Sequence, residues 1–302
     1  MQTQSGFFTE PLSSDSLTAS QWVELPSSGG RYCALYRCRK SGRSRLYKGL
    51  RPDFQGNPLY ESLLRKEFEI GFSLTHPAIC EYYSLAEVPG KGLCIEMEWI
   101  EGRTLEDRLA AGIDKELCRK ILLELCDALD YMHHRQVFHR DLKPLNIMIT
   151  DKGNNVKIID FGFSDADGFL FGKEAAGTRA YAAPELLANQ DVDGRADLYS
   201  LGMIMRRMPP AFAPFAAKCT RERPEDRYRD AAALKAVLER KSSLRWLLPL
   251  LGVLLMAVLL VWFLRLQRET EQEPFDESID AIFQQTQDLI RDAGFPTTSP
   301  QE

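Results

Sequence analysis

The sequence predicts an α+β protein with a strand-rich first part, a helical second part and one transmembrane helix near its end. Short apolar runs separated by turns rich in Gly, Pro and Ser fill residues 22–99, which is typical of strands. Apolar residues recur every three or four positions over 114–135, which indicates an amphipathic helix. The stretch 246–264 contains no charged residue, and nine of its nineteen residues are Leu.

The composition is that of a globular protein with an additional apolar segment. The chain has 302 residues, of which 44% are hydrophobic and 27% are charged, enough for a sizeable core in one or two domains. A net charge of −5 is an argument against a dedicated nucleic-acid-binding protein. The seven cysteines form no Cys-x-x-Cys pair and all precede residue 220, which indicates reduced thiols in a cytosolic domain. The four histidines lack the spacing of zinc ligands.

The apolar patterns divide the first 160 residues into strands and helices. The strand-rich part gives strands at 23–25, 32–39 and 45–50, a helix at 58–74, and a strand pair at 80–88 and 93–99. After the amphipathic helix, a turn rich in Gly and Asn joins two short strands, 147–150 and 156–159, as a hairpin would.

Two runs of polar residues flank this hairpin. His-Arg-Asp-Leu-Lys-Pro-Leu-Asn occupies 139–146, and Asp-Phe-Gly occupies 160–162. Both runs adjoin the ends of paired strands, where a rigid scaffold holds loops in fixed positions. We therefore expect four polar side chains to converge on one point: Asp141, Lys143, Asn146 and Asp160.

These four side chains fit the chemistry of phosphoryl transfer. Asn146 and Asp160 offer the hard oxygen ligands that Mg²⁺ prefers, with phosphate oxygens completing its shell. Asp141 offers a carboxylate that orients a hydroxyl and accepts its proton, and Lys143 offers a positive charge to the transferring group. Such a reaction needs little covalent help, because positioning and charge neutralisation supply most of the rate.

The two runs, together with Ala-Pro-Glu at 183–185, resemble the signature set of the protein kinases. The resemblance covers about residues 20–240. It implies a bilobal protein kinase fold with a β-rich N-lobe and a helical C-lobe, and it implies ATP and Mg²⁺ as cofactors.

The resemblance also implies how the nucleotide phosphates are held. Lys48, on the third predicted strand, stands where the family binds the α- and β-phosphates. Glu67 lies nine residues before the His-Pro pair at 76–77, where the family has the glutamate that pairs with this lysine. Glu69 is the competing candidate, although it would point from another face of the helix.

The resemblance implies other nucleotide contacts as well, although this sequence matches the family's motifs less closely there. The best register for the family's glycine loop begins at Ser28, and only Gly30 matches one of its glycines. Both residues are expected beside the phosphates. The backbone of Glu98 and Ile100 is expected to hydrogen-bond adenine, because these residues stand where the family has its interlobe hinge.

The resemblance also implies that the phosphoryl acceptor is the hydroxyl of a Ser or Thr residue. Thr178 matches the residue that, in Ser/Thr kinases, hydrogen-bonds the catalytic Asp and Lys, here Asp141 and Lys143. In the family, an arginine at the position of Arg140 usually binds a phosphorylated loop residue. No Ser, Thr or Tyr lies between residues 165 and 177, where the acidic residues are Asp165, Asp167 and Glu174. We expect one of these carboxylates, that of Glu174 before the others, to take the place of the phosphate.

Three further positions bear on the architecture. Asp197 is implied to brace the catalytic loop, and Arg227 is implied to pair with Glu185. The interval from Asp197 to Arg227 is shorter than the family generally has. Gly71, one turn after Glu67, stands where the family packs a bulky apolar residue, so we expect this helix to be loosely docked.

The chain divides into four predicted parts. They are a flexible leader at 1–19, the kinase domain at 20–240, a transmembrane helix at 244–266 and a short tail at 267–302. Nineteen helical residues would span about 28 Å, close to the ~30 Å hydrocarbon core of a bilayer. The alternative, a buried core helix, would need a larger domain around it. Within the tail, 275–290 has the pattern of one small amphipathic helix.

The distribution of basic residues predicts the orientation. Six Lys or Arg residues lie in the twenty positions before 246, and two lie in the twenty positions after 264. The kinase domain is therefore expected on the cytoplasmic face and the tail on the opposite side of a single-pass membrane protein.

The sequence therefore predicts a kinase that phosphorylates Ser or Thr of protein substrates at a membrane and binds no nucleic acid. Pairing of two copies in the membrane is left open. The main alternative is a membrane-tethered pseudokinase scaffold that binds partners without efficient transfer. A small-molecule kinase of related fold is the second alternative, and the Ala-Pro-Glu run and Thr178 are arguments against it.

Overall fold

A computed structural model describes residues 22–26, 32–40, 42–162, 180–243 and 247–293. The chain divides into two compact units, 1–238 and 239–302.

A five-stranded antiparallel sheet forms the first lobe of the first unit. Its strand order is β1-β2-β3-β5-β4. The strands are β1 (Trp22–Leu25), β2 (Cys33–Lys40), β3 (Arg43–Leu50), β4 (Tyr82–Val88) and β5 (Gly92–Glu98). The β2–β3 turn requires glycine at Gly42, because its φ of 77° lies in the left-handed region. All five predicted strands are present, with ends that differ by one or two residues.

Helix α1 (Pro58–Ser73) crosses this sheet and packs against β4. Its start is fixed locally, since the Asn57 side chain accepts a hydrogen bond from the Leu59 amide and a proline occupies the first helical position. Its buried face carries Leu63, Leu64 and Glu67. The predicted helix at 58–74 is confirmed, and it delivers a carboxylate into the interior.

The second lobe of this unit is mainly helical. It contains α2 (Leu105–Ala111), α3 (Lys115–His134), α4 (Pro184–Leu187), α5 (Arg195–Met205), α6 (Ala213–Cys219), α7 (Ala231–Ser243) and a small sheet of β6 (Gly102–Thr104), β7 (Ile147–Thr150) and β8 (Val156–Ile158). Helix α3 is the predicted amphipathic helix, and its apolar stripe is fully buried: Cys118, Ile121, Leu122, Leu125, Cys126, Ala128, Leu129 and Met132. The sheet includes the predicted hairpin.

Helix α5 lies in the centre of this lobe. Its residues Leu198, Leu201 and Ile204 have no exposed surface. Between α5 and Arg227, a stretch that the structure describes completely, the only α-helix is the seven-residue α6. Helix α6 approaches α5 closely at Gly202, where an added Cβ would lie 2.6 Å from the Cβ of Cys219. The shortened connection is thus packed tightly rather than left open.

None of the seven cysteines, all of which lie in the described part of the chain, forms a disulfide, and all seven are buried. Cys33, on β2, is 3% exposed and faces the nucleotide side of the first lobe near Lys48. Burial raises the pKa of the Cys33 thiol to about 12, although the charge of Lys48 acts in the opposite direction.

The second unit contains the long helix α8 (Leu247–Asp292). None of the described helices combines the length and the apolar content that crossing a bilayer requires. The transmembrane helix expected at 244–266 is therefore not supported by the structure. Helix α8 continues through the charged residues after 264 instead of ending at 266, and the small helix expected at 275–290 is part of it.

The helical lobe of the first unit contains a buried ion pair. The Arg227 guanidinium donates to both carboxylate oxygens of Glu185, at 2.6 and 2.8 Å, as the sequence predicts. It also donates to the carbonyl oxygens of Arg221, Arg195 and Glu222. The Arg227 side chain has no exposed surface. Each N–H group of the Arg227 guanidinium donates a hydrogen bond, and these bonds offset the free-energy cost of burying the ion pair.

Replacement of Arg227 by Met should destabilise the first unit strongly. The change leaves the Glu185 carboxylate buried without its partner, which costs about 3–5 kcal/mol in comparable sites. Urea unfolding followed by fluorescence measures the loss. Arg229→Met is the matched control, because the Arg229 side chain is 88% exposed and its ion pair with Asp230 should contribute less than about 1 kcal/mol. Equal losses in the two variants would contradict the assignment.

Candidate active site

Asp197, on helix α5, holds the backbone of residues 139–146, which we call the catalytic loop. Its carboxylate accepts hydrogen bonds from the amides of His139, at 2.9 Å, and Arg140, at 2.8 Å. The ring of His133 contacts the same carboxylate at 2.9 Å. Burial alone would raise the pKa of Asp197, but these hydrogen bonds and the charge of His133 bring that pKa below its usual value. The bracing role predicted for Asp197 is what its contacts show.

The catalytic loop brings three predicted side chains together. Lys143 Nζ donates to Asp141 Oδ2 at 2.7 Å, and Asn146 Nδ2 donates to the same oxygen at 3.0 Å. Asn146 Nδ2 also donates to the Asp141 carbonyl at 2.9 Å. The Asn146 amide group is therefore fixed with its carbonyl oxygen as the atom that a metal ion would contact. Burial raises the pKa of Asp141 against the opposing effect of Lys143, which makes this carboxylate a better proton acceptor.

Lys48 connects the sheet, helix α1 and the Asp-Phe-Gly run. Its Nζ donates to the two carboxylate oxygens of Glu67 at 2.7 and 2.8 Å and to Asp160 Oδ1 at 2.9 Å. Glu67 is 4% exposed, whereas Glu69 is exposed, so the predicted pairing with Glu67 is the one the structure has. Burial opposes the charge of Lys48, yet the two carboxylates raise its pKa well above the usual value.

Asp160 is arranged as an ionised ligand. Its backbone has a φ of 68°, an uncommon conformation for a residue other than glycine. Burial alone would raise the pKa of Asp160, but the charge and hydrogen bond of Lys48, with the Gly162 amide, lower it below the usual range. An ionised carboxylate at Asp160 and the amide oxygen of Asn146 are the hard donors that suit Mg²⁺, with phosphate oxygens completing the shell.

Tyr82, on β4, is a site residue that sequence analysis did not identify. Its hydroxyl donates to Glu67 Oε1 at 3.3 Å. Its ring occupies the space beside Gly71, where an added Cβ would lie 2.7 Å from ring atoms. The ring centroid is 5.9 Å from that of Phe161, which in turn is 5.4 Å from that of His139.

The loose docking expected from Gly71 is therefore wrong. The missing side chain on α1 is replaced by an aromatic ring from the neighbouring strand, so the helix is packed and Glu67 is held. The signal was present in the sequence as a glycine on the helix and two tyrosines in the predicted strand at 80–88. Only the pairing register shows which tyrosine fills the space.

The predicted adenine-binding segment follows β5. The Glu98 amide donates to the Glu81 carbonyl at 2.8 Å, and the Glu98 side chain binds Lys157 at 2.8 Å. The Glu98 carbonyl lies 4.0 Å from the Cys80 thiol, which donates to it, and the contact of the Glu98 backbone with adenine stays a prediction. Ile100 is half-buried and packs against the main core.

Four sequence-predicted residues lie outside the described part of the chain: Ser28, Gly30, Glu174 and Thr178. Their roles stay predictions. Arg140, the expected partner of Glu174, has a buried Nε without a hydrogen-bond partner among the described residues.

Arg207, just after α5, is a second residue that the sequence analysis did not identify. Its guanidinium forms a two-pronged ion pair with Glu106 on α2, with Nη2 2.7 Å from Oε1. Its Nη1 also donates to the Tyr181 hydroxyl at 2.9 Å. The Tyr181 carbonyl in turn accepts from the Ser200 hydroxyl on α5 at 2.9 Å. Tyr181 precedes the Ala-Pro-Glu run, so these contacts fix the backbone on the acceptor side of the site.

A comparison with protein-family models now identifies the class. The model described as "Protein kinase domain" matches residues 29–258, which is more than half of the chain. The chain belongs to the protein kinase family, and the family prediction is confirmed.

Individual relatives agree with this assignment. CBL-interacting serine/threonine-protein kinase 21 of Arabidopsis thaliana is 38% identical over 159 residues, which cover 51% of this chain and 38% of that protein. Serine/threonine-protein kinase PknJ of Mycobacterium tuberculosis is 34% identical over 215 residues, which cover 68% of this chain and 36% of that protein. The chain thus spans less than two-fifths of the length of these two relatives.

A solved structure shares the fold. The PknI kinase domain of Mycobacterium tuberculosis has a TM-score of 0.56 at 24% sequence identity and covers 74% of this chain and 97% of that chain. The bilobal kinase fold with a β-rich N-lobe and a helical C-lobe is therefore confirmed.

Replacing Gly71 by Leu should displace Tyr82 and weaken the Lys48–Glu67 pair. Overpacking of this kind typically costs 1–3 kcal/mol, so we expect kcat/KM for peptide phosphorylation to fall about 10-fold or more. The double variant Gly71→Leu/Tyr82→Ala vacates the ring's space and should recover most of the activity. Tyr82→Phe, which keeps the ring and removes one hydrogen bond, should lose about fivefold at most. A fully active Gly71→Leu enzyme would refute the packing argument.

Removing the Arg207 side chain should affect the protein substrate and spare the nucleotide. We expect Arg207→Ala to raise the KM for an acceptor peptide about fivefold, which corresponds to about 1 kcal/mol for an exposed pair. The KM for ATP should stay within twofold. Arg206→Ala is the matched control, because Arg206 donates to Thr220 and not to the acceptor side. A parallel rise in both KM values would indicate general damage instead.

Proposed function

We propose that this chain is an ATP-dependent protein kinase that transfers the γ-phosphoryl group to Ser or Thr hydroxyls of protein substrates. The observation that supports this most is the position of Lys48, within 2.9 Å of both Glu67 and Asp160. That arrangement orders a cation for the nucleotide phosphates and an ionised carboxylate for Mg²⁺. The catalytic loop adds Asp141 and Lys143, which are 2.7 Å apart.

Each residue has a distinct part in the proposed mechanism. Lys48 neutralises the nucleotide phosphates and is kept in position by Glu67. Asp160 and Asn146 would hold Mg²⁺, which neutralises charge on the phosphates when it is bound. Asp141 orients the acceptor hydroxyl and receives its proton. Lys143 stabilises the negative charge on the transferring group and keeps the Asp141 carboxylate oriented.

Three observations support Ser and Thr rather than Tyr as acceptors. Lys143 follows Asp141 by two residues, and Thr178 stands where Ser/Thr kinases have their conserved hydrogen-bonding threonine. The curated relatives are named serine/threonine-protein kinases.

Asp141→Asn should abolish most of the activity without unfolding the chain. The variant keeps the shape of the side chain and removes the proton acceptor, a contribution of about 100- to 10,000-fold in typical enzymes. Phosphate transfer from Mg²⁺-ATP to a generic Ser/Thr peptide measures the effect on the full chain. Asp151→Asn, the same change on an exposed turn, is the control. Near-normal turnover of Asp141→Asn would overturn the mechanism.

The alternative is a pseudokinase scaffold that binds partners without efficient transfer. The scaffold function is favoured by the glycine loop around Ser28 and Gly30, because only one of the family's glycines is matched there. The same assay separates the two functions, because a scaffold would show no Asp141-dependent transfer above background. The proposed absence of loop phosphorylation, with Glu174 in its place, is tested by phosphatase treatment, which should leave the activity unchanged.

We also propose that the chain is a single-pass membrane protein with its kinase domain on the cytoplasmic face. The support is the uncharged sequence 246–264 and the excess of basic residues before it. Large apolar side chains at 251, 253–256 and 258–264 are exposed on α8, and such a surface is costly in water. Pairing of two copies in the membrane is left open.

Fractionation tests the membrane position. The full chain should remain with the membrane pellet after alkaline extraction, whereas Leu254→Asp/Leu259→Asp should release it. Ile282→Asp/Phe283→Asp, placed in the tail, should leave it in the pellet. Release of the unchanged chain would exclude the anchor.

A further inference from the structure

A second charged site adjoins the segment that carries the predicted adenine contacts, and its lining includes none of Lys48, Asp141 and Asp160. An open cavity of about 570 Å³ adjoins the segment that links the two lobes. We name it the hinge cavity. It is lined by the β2–β3 hairpin above, the linking segment beside it and the β7–β8 turn below, and its charged lining residues are Arg37, Arg39, Arg43, Lys152, Glu98 and Glu101.

The hinge cavity is basic in a chain that is acidic overall. From residue 26 to residue 52 there are eight Lys or Arg residues and no Asp or Glu, whereas the net charge of the chain is −5. Of the two carboxylates in the lining, Glu98 is neutralised by Lys157 at 2.8 Å. Three arginines and one lysine therefore face a single uncompensated carboxylate, that of Glu101.

The basic side chains are partly preorganised and lack acidic partners. The Arg37 guanidinium lies 4.5 Å from the centroid of the Trp99 ring and donates twice to the Ser44 hydroxyl, at 2.9 and 3.1 Å. Among the described residues, Arg39, Arg43 and Lys152 form no ion pair. Guanidinium groups match the geometry of phosphate oxygens, so this cluster suits a phosphorylated ligand.

Two other basic residues of the β2–β3 hairpin do have an acidic partner. Lys40 and Arg45 both bind Glu96, at 3.2 and 3.7 Å, and Arg45 also lies over the ring of Tyr83. The fold thus compensates Lys40 and Arg45 with Glu96, whereas Arg37 and Arg39, on the other face of β2, have no acidic partner among the described residues.

The chain itself supplies a matching segment. Residues 1–21 contain eight Ser or Thr, two acidic residues and no Lys or Arg. Each added phosphate contributes a charge of about −1.5 to −2. Trp22, which follows this segment, pairs with Cys38 in the β1–β2 register, one residue from Arg39. The segment therefore joins the fold beside the basic hairpin, and six residues extend up to about 20 Å, enough for Ser16 to reach the cavity.

We propose that segment 1–21, phosphorylated in its Ser13-Ser14-Asp15-Ser16 run, binds in the hinge cavity. This rests on the proposed function for the origin of the phosphate. In that step the bond from the γ-phosphorus to ADP breaks, a bond to the serine Oγ forms, and the hydroxyl proton passes to Asp141.

Binding is tested on the full chain carrying Asp141→Asn, so that no catalysis intervenes. The probe is a fluorescent peptide of residues 1–21 with phosphoserine at 13, 14 and 16, titrated by anisotropy. We expect it to bind about 10-fold or more tightly than the unphosphorylated peptide, since charge-assisted bonds to guanidinium are the strong class. Arg39→Glu/Arg43→Glu should remove that advantage. Arg65→Glu/Lys115→Glu makes the same change in charge at exposed positions outside the cavity and should leave binding within about twofold.

Three results would overturn the proposal. Equal weakening in both double variants would assign the binding to overall charge, and equal binding of the unphosphorylated peptide would remove the role of phosphate. A phosphopeptide of scrambled sequence that binds equally well would exclude segment 1–21 as the specific occupant. None of these results depends on turnover, so they are independent of whether the Asp141 assay succeeds.

Discussion

The active site depends on one buried cation that three distant segments share. Lys48 comes from the sheet, Glu67 from helix α1 and Asp160 from the loop after β8, and the nitrogen lies within 2.9 Å of both carboxylates. Each of these charges would be costly to bury alone, but together they compensate one another. The contact therefore sets the position of α1 against the sheet and the conformation of the Asp-Phe-Gly run at the same time. Displacement of the strand that carries Lys48 removes the cation from both carboxylates, and displacement of either other segment removes one of the two acceptors of Lys48.

The same principle fixes the helical lobe. Asp197 and Arg227 are both fully buried side chains, and each satisfies several backbone groups as well as one charged or polar partner. Asp197 determines where the catalytic loop lies relative to α5, and Arg227 joins the Ala-Pro-Glu segment to the end of that lobe. Because both networks are complete, the short connection through α6 does not loosen the site. The lobe is small, yet the buried charges of Asp197 and Arg227 each have hydrogen-bond partners.

Sequence alone identified the charged residues of the site and most of the elements that carry them. Those residues occur in contiguous runs whose chemistry is specific, and the runs adjoin strands with clear periodicity. Tyr82 and Arg207 escaped because each acts across elements far apart in the chain, and neither belongs to a run. The prediction that Gly71 loosens helix α1 was wrong for a related reason. A glycine on a helix face indicates an absent side chain but does not indicate that a neighbouring strand fills the gap. The membrane helix was predicted from composition, whereas α8 runs on well past its expected end.

Cys33 shows a further consequence of this burial. Its thiol lies near the phosphate-binding lysine, and desolvation keeps it protonated at neutral pH, as the two carboxylates keep Lys48 protonated. Neither group is then a ready nucleophile, because thiolate and free amine are the reactive forms. Burial and protonation together therefore disfavour alkylation and oxidation at Cys33, so a covalent inhibitor directed at this thiol would react slowly.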